Sequence, residues 1–188
     1  YMIISGYLNK RMTMSTGKRI CPECKGNGYL RTEMNTIVQC LNCWSEGEID
    51  ETIDKDTSML SWTEMLSKAP AESVVICQPN DGTIAHMGEL SAETLKYKGV
   101  KGYIVDGGCR DVEFIKNLGF PVFCKYFTPS DVVCRWKITS LGEPITIGGL
   151  EIRSGDYVLG DIDGVVIIPN GIAEDVIKET EEYINTES

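Results

Sequence analysis

Residues 87–129 read MGELSAETLKYKGVKGYIVDGGCRDVEFIKNLGFPVFCKYFTP, and this stretch decides the fold. GELSAETLKYKG has the composition of a helix that stops at Gly99. GYIVD (Gly102–Asp106) is a short apolar strand that runs into GGCRD. VEFIKNLG reads as a second helix and PVFCKYF as a second strand. Strands alternating with short helices predict parallel pairing with crossover helices.

The pattern extends outward on both sides. Upstream, SVVIC (Ser73–Cys77) is a buried strand. SMLSWTEMLSKAP before it is a helix stopped at Pro70, with Ser58 placed to cap it. Downstream, PITIGG, LEIRSGD, YVLGD and GVVIIP are short strands divided by Gly and Asp turns. IAEDVIKETEEYI closes the chain as a helix, and Ile172, Val176, Ile177, Tyr183 and Ile184 predict one buried face. The order is βαβαβ, then a small all-β section, then a terminal helix. The expected class is a mixed α/β layered domain over residues 58–188, with a cysteine-bearing module at 1–50 and an acidic linker at 51–57.

Length and composition fit one domain plus a small module: 188 residues, 42% apolar and 24% charged. Net charge is −10, unevenly spread. Residues 1–50 hold 6 Lys/Arg against 5 Asp/Glu, whereas 51–188 hold 12 against 23. The larger part repels nucleic acid, so a nucleic-acid partner is not expected. No apolar run approaches the ~20 residues of a membrane helix, so no membrane partner is expected either. The opening YMIISGYLNKRMTMSTGKR turns polar too soon for a secretory signal, and the expected location is cytoplasmic.

Four of the eight cysteines stand as Cys21, Cys24, Cys40 and Cys43, a C-x2-C-x15-C-x2-C pattern. Each pair closes a short turn that aims two thiolates inward, which suits a tetrahedral structural Zn2+. CPECKGNG (Cys21–Gly28) also resembles the CxxCxGxG repeat of DnaJ-type zinc fingers. CLNCWSEG (Cys40–Gly47) keeps the cysteines and the last glycine but has Ser45 in place of the middle one. The resemblance implies a zinc-binding hairpin, either a staple for a segment without a core or a surface for a protein partner. Cys77, Cys109, Cys124 and Cys134 are read as structural thiols.

The candidate site lies where the central strand meets the first helix. Gly88–Ser91 opens a helix straight from a loop, and a helix start offers unpaired amides to an anion. The strand ends in Gly107-Gly108 and delivers Arg110 and Asp111 to its carboxyl end, the place favoured by ligands of α/β sheets. Arg110 could grip a carboxylate, and Asp111 could hold a hard divalent cation directly or through water. His86, the single histidine, reads as structural, and Asp161 and Asp163 in GDIDG as turn residues.

GELSAETLKYKGVKGYIVDGGCRD resembles the signature of the regulator of ribonuclease activity A family, which includes the 4-hydroxy-4-methyl-2-oxoglutarate aldolases that also decarboxylate oxaloacetate. LGFPVF, Thr128-Pro129, PITIGGLEIRSGDYVLGDIDGVVIIP and the acidic closing helix continue the resemblance in order over about residues 57–188. It implies a β/β/α fold of the swivelling phosphohistidine type, assembled as homotrimers or hexamers with active sites between subunits. It implies that Arg110 binds a keto-acid substrate and that Asp111 positions Mg2+ or Mn2+. The amides of Leu90 and Ser91, beside Gly88, would cradle the pyruvoyl carboxylate, and Glu89 would sit beside the catalytic water. An acidic residue of a neighbouring subunit would complete the site, with Glu174, Glu179, Glu181 and Glu182 as candidates. Lys101 lies outside the motif, so a metal-assisted class II aldolase or decarboxylase reaction is expected rather than a Schiff base. Other members inhibit ribonuclease E, so a non-catalytic interaction protein is the alternative. Family members begin with a helical segment and a strand where this chain has the cysteine module, so the sheet is expected to lack a strand and present an open edge.

Overall fold

The structure is a computed structural model that describes residues 2–8, 18–21, 23–25, 27, 29–33, 36–40, 48–50, 53 and 55–186. Its centre is a five-stranded sheet. β1 (Met2–Leu8), β6 (Val74–Gln78), β7 (Gly102–Cys109) and β8 (Val122–Phe127) run parallel, and β9 (Trp136–Leu141) runs antiparallel beside β1. The order across the sheet is β8-β7-β6-β1-β9.

Between β1 and the first crossover helix lie β2 (Lys18–Ile20), β3 (Tyr29–Arg31), β4 (Ile37–Gln39) and β5 (Glu48–Asp50). They form two antiparallel pairs, β2 with β5 and β3 with β4. The crossovers are α1 (Lys55–Lys68), α2 (Glu89–Tyr97) and α3 (Val112–Leu118). Two hairpins follow, β10 (Ile145–Ile147) with β11 (Leu150–Ile152) and β12 (Tyr157–Gly160) with β13 (Val165–Ile168). A single 3-10 turn then leads into α4 (Ala173–Thr186).

The twofold period of the strands sorts the core into layers. Val75 and Cys77 of β6 and Tyr103 and Val105 of β7 point to one face, where they pack with Trp62, Met65, Leu95 and Ile115 of the helices. Val74, Ile76 and Ile104 point to the other, against Ile145, Ile152, Val158 and Ile167 of the hairpins. Helices therefore cover one face and hairpins the other. Each fully buried large side chain contributes about 1.5–3 kcal/mol.

Three expectations need correction. The sheet has no missing strand: β1 comes from within the first 50 residues and sits inside the sheet, between β6 and β9. Ser58 is not a helix cap. α1 starts at Lys55, inside the expected linker, and Ser58 is buried one turn further on. Its hydroxyl donates to the carbonyl of Trp136 (2.9 Å) and accepts from the amide of Cys134 (3.2 Å), tying the helix to the start of β9. The apolar face of α4 is not buried within its own chain. Only Ala173 is buried, while Ile172, Ile177, Tyr183 and Ile184 are exposed.

Ser58→Ala removes the hydroxyl that bonds the buried Trp136 carbonyl and the Cys134 amide. Urea unfolding should show a loss of about 1–3 kcal/mol with an unchanged m-value. An unchanged midpoint would mean that α1 is not anchored through this residue.

Candidate active site

The site is built on the loop between β6 and α2. Asp81, buried, accepts the backbone N–H groups of Thr83 (3.0 Å) and Ile84 (2.9 Å) and the Thr83 hydroxyl (2.8 Å). Burial opposes its charge, but these bonds outweigh burial and hold the carboxyl below its ordinary range. The loop then runs alongside the end of β7. Ala85 bridges to Gly108, the His86 amide donates to the Gly108 carbonyl (2.8 Å), and the Arg110 amide donates to the Met87 carbonyl (2.9 Å). Two phenols secure it from the sheet: Tyr103 donates to the His86 carbonyl and Tyr126 to the Ile84 carbonyl, each at 3.1 Å.

This approach requires glycine. A Cβ at Gly108 would lie 2.5 Å from the Tyr126 ring and 2.6 Å from the Ile84 carbonyl oxygen. The Gly107-Gly108 dipeptide, read as a strand end, is thus the last part of a longer β7, bulged where the loop closes on it.

β7 delivers Arg110 and Asp111 directly to the start of α2. Asp111 takes a left-handed conformation (φ 56°, ψ 36°), which a non-glycine residue adopts at a cost of order 1 kcal/mol. Its Oδ2 accepts the Glu89 amide (3.1 Å) and lies 3.6 Å from Arg110 Nε. Arg110 Nη1 pairs with Asp131 (2.8 Å). Gly88 is packed beneath both, since a Cβ there would sit 2.9 Å from Arg110 Nε and from Asp111 Oδ2. The structure thus brings together Gly88, Glu89, Leu90, Ser91, Arg110 and Asp111. With the Glu89 amide taken by Asp111, the Leu90 and Ser91 amides remain the open donors of the first turn.

A cavity of about 400 Å³ opens here, walled by Trp62, Met87, Gly88, Ser91, Arg110 and Asp131. Sequence reasoning missed Asp131 and the contribution of α1. Lys55, Met59, Trp62, Thr63 and Leu66 of that helix all face the cavity. Their helical spacing was the available signal. Trp62 Nε1 also donates to the Ser91 hydroxyl (2.8 Å), fixing α1 to the first turn of α2.

Several candidates lie elsewhere. Lys101 pairs with Glu72 at the surface (2.9 Å). Asp161 accepts the amides of Asp163 (2.9 Å) and Gly164 (3.2 Å) in the β12–β13 turn. Glu174, Glu179, Glu181 and Glu182 are exposed on α4 and line no part of this cavity. Cys77 and Cys109 are buried, while Cys124 and Cys134 are half-buried. The sulfurs of Cys21, Cys24 and Cys40 lie within 4.8 Å of one another and form no disulfide; Cys43 falls outside the described residues.

His86 is fully buried. Its ring packs edge-on to Trp136 with centroids 4.9 Å apart, and Nε2 lies 3.6 Å from Asp81 Oδ2. Among the described residues neither ring nitrogen has a hydrogen-bond partner. Burial pushes its pKa down to about 4, against the opposing pull of Asp81.

Comparison with known proteins agrees with this architecture. Residues 26–167 match the family described as RraA-like, Aldolase/RraA, and the chain belongs to that family. A "Putative 4-hydroxy-4-methyl-2-oxoglutarate aldolase" of Halalkalibacterium halodurans is 37% identical over 118 residues, 61% of this chain and 54% of that protein. Protein DlpA of Legionella pneumophila is 30% identical over 129 residues, 67% of this chain and 21% of that protein. The chain thus spans about half or less of these relatives' length. A solved structure described as novel cellulases from gut-associated microbes superposes with TM-score 0.70 at 27% identity, over 99% of this chain and 65% of that one. Streptomyces coelicolor RraAS2, described as an unusual member of the RNase ES inhibitor RraA family, superposes with TM-score 0.64 at 25% identity, over 70% of this chain and 67% of that one. Among the described residues no helix is long and apolar enough to cross a membrane.

The depressed pKa of His86 has a testable consequence. The unfolded chain takes up a proton near pH 6.5, but the folded chain resists it down to about 4. Stability should therefore fall as pH drops through that window, by on the order of 3 kcal/mol in full. Because His86 is the single histidine, one imidazole NMR signal reports it. That signal should stay flat from about pH 8 to about pH 5.5, where an ordinary histidine titrates. A midpoint near 6.5 would overturn the buried neutral assignment.

Proposed function

We propose that the chain is a divalent-metal-dependent carbon–carbon lyase for 4-carboxy-2-oxo acids, of the 4-hydroxy-4-methyl-2-oxoglutarate aldolase and oxaloacetate decarboxylase type. The observation that carries this reading is the convergence of Arg110, Asp111 and the open amides of Leu90 and Ser91 around Gly88. Cleavage of such an acid leaves a pyruvate enolate, whose charge needs fixed donors in place before it develops.

In this reading the Leu90 and Ser91 amides, at the positive end of α2, hold the pyruvoyl carboxylate. Arg110 faces the keto oxygen and is held in place by Asp131 at 2.8 Å. Asp111 is suited to a hard cation. Its Oδ2 is engaged by the Glu89 amide, and its other oxygen has no hydrogen-bond partner among the described residues. One carboxylate with water matches how magnesium is usually held. Mg2+ or Mn2+ bound at Asp111, directly or through water, supplies Lewis-acid stabilisation of charge on the keto oxygen. Glu89 holds the water that exchanges protons with the substrate. It receives the C4 hydroxyl proton when the C3–C4 bond of an aldol breaks, and returns a proton to C3 of the enolate. In oxaloacetate the same bond breaks with loss of carbon dioxide. Lys101 is too far out to form a Schiff base, and Lys55 is exposed at the cavity rim.

The reading includes a homotrimer or hexamer. The bare apolar face of α4 and the exposed Leu159, Ile162 and Val166 of the last hairpin would be covered by neighbouring copies. An acidic residue of a neighbour's α4 would then join the site.

Metal-stripped protein should release pyruvate from oxaloacetate only after magnesium is added. Arg110→Ala should lose about 100-fold or more in kcat/KM. Gly88→Ala should lose as much with little change in Tm, because its methyl displaces the ends of two side chains rather than backbone. Borohydride added with substrate should leave activity intact. No turnover above free magnesium, in folded oligomeric protein, would sink the lyase reading in favour of a non-catalytic interaction protein. Light scattering should give three or six chains per particle, and Ile177→Asp with Ile184→Asp should give single chains.

A further inference from the structure

Little is buried in the described part of the segment between β1 and α1. Its two ladders are two-stranded, and such pairs are marginal alone in water. Of its described part, Ile20, Tyr29, Ile37 and Val38 are exposed and Leu30 is half-buried, while Ile53, next to α1, is buried. The one buried cluster is Cys21, Cys24 and Cys40, with Leu30 packed against it. A core made of three thiols is too small to fold a segment of this length.

The geometry points to a structural Zn2+ held as thiolates by Cys21, Cys24 and Cys40, which staples an insertion in the β1–α1 crossover and so helps retain β1 in the sheet. Four thiolates at the Zn–S distance of about 2.3 Å stand about 3.8 Å apart at the corners of a tetrahedron. Cys21 and Cys40 Sγ lie 3.7 Å apart, although 19 positions separate them, and all three sulfurs fall within 4.8 Å. Glu23 adds a carboxylate 3.8 Å from Cys40 Sγ. Thiolates gathered with a carboxylate call for a cation.

The topology gives the ion its role. β2 and β5 pair at the neck of the insertion, with Lys18 opposite Asp50. The cysteines lie beyond that neck, and the hairpin β3–β4 lies between Cys24 and Cys40. Closing the neck at β2 and β5 shortens the effective loop between β1 and α1, and the entropy of joining two ends grows with loop length. Without the ion, β1 is joined to α1 across a longer effective loop. This role is separate from the lyase chemistry, and none of the three cysteines lines the cavity at Arg110.

The test uses the full chain purified under reducing conditions. Elemental analysis should find one zinc per chain. Zinc should be absent from Cys21→Ser and Cys40→Ser and kept by Cys124→Ser. If the first two variants fail to fold, cobalt-loaded wild type decides, through thiolate-to-cobalt absorption in the near ultraviolet and the strong visible bands of a tetrahedral ion. Hydrogen exchange should then show the β1 amides opening several-fold faster after chelation, while those of α3 keep their rate. Zinc-free protein with no cobalt–thiolate absorption, or Cys21 and Cys40 recovered as a disulfide, would overturn the site. Equal β1 exchange with and without the metal would overturn the coupling.

Discussion

The structure turns on the close approach between the loop Ile84–Gly88 and the end of β7. Backbone meets backbone there, and Gly108 leaves no room for a side chain. That approach sets where α2 begins, and so where its first-turn amides point. It also sets where β7 releases Arg110 and Asp111. Asp81 starts the loop by capping its own turn, and Tyr103 and Tyr126 fix its carbonyls from the sheet. Gly88 then allows Arg110 and Asp111 to close over the helix start. The functional side chains are few, but the backbone that aims them is held from several sides, as a preorganised site requires. His86 fits this account as part of the support. It fills the space between Asp81 and Trp136 and does not reach the cavity with a free nitrogen in solvent.

The middle of the fold was legible because its signals are local. SVVIC, GYIVD and PVFCKYF are short apolar runs between helix stops, and they became β6, β7 and β8. β1 was not legible. Its pairing partners lie about 70 and 135 residues away, and nothing local marks it as belonging to the main sheet rather than to the cysteine segment. β9 was missed for a related reason. WKITSL mixes charge with apolar residues, and only the burial of Trp136, with its indole donating to the Pro79 carbonyl (2.9 Å), shows it to be structural. The misreading of α4 has another cause. Its amphipathic pattern is genuine, but a pattern says that a face needs cover and not that its own chain supplies it.

The site was legible where one motif carries it and illegible where distant elements contribute. Gly88 to Ser91 and Arg110–Asp111 stand in one continuous stretch, and the structure joins them. Asp131 follows Thr128-Pro129 in a loop with no pattern of its own, yet it makes the shortest contact to Arg110. Met59 and Trp62 belong to a helix that the sequence marks with no functional motif, and Lys55 to the stretch expected as linker. Trp62 serves both purposes: its ring packs on Trp136, and its nitrogen holds Ser91.

The charge balance of the cavity bears on the choice of substrate and cation together. Arg110 and Lys55 line the cavity with Asp131, and Asp111 stands against Arg110 beside it. Arg110 is therefore already shared between two acids. A dianionic keto acid entering alone would add to that negative charge within a few ångströms, where Coulomb terms run to several kcal/mol even at an effective dielectric near 20. In the proposed reading a divalent cation at Asp111 would offset that charge, with Arg110 still held by Asp131. Metal dependence and preference for diacids would then be one property, set by the two carboxylates, Asp111 and Asp131, that share a single arginine.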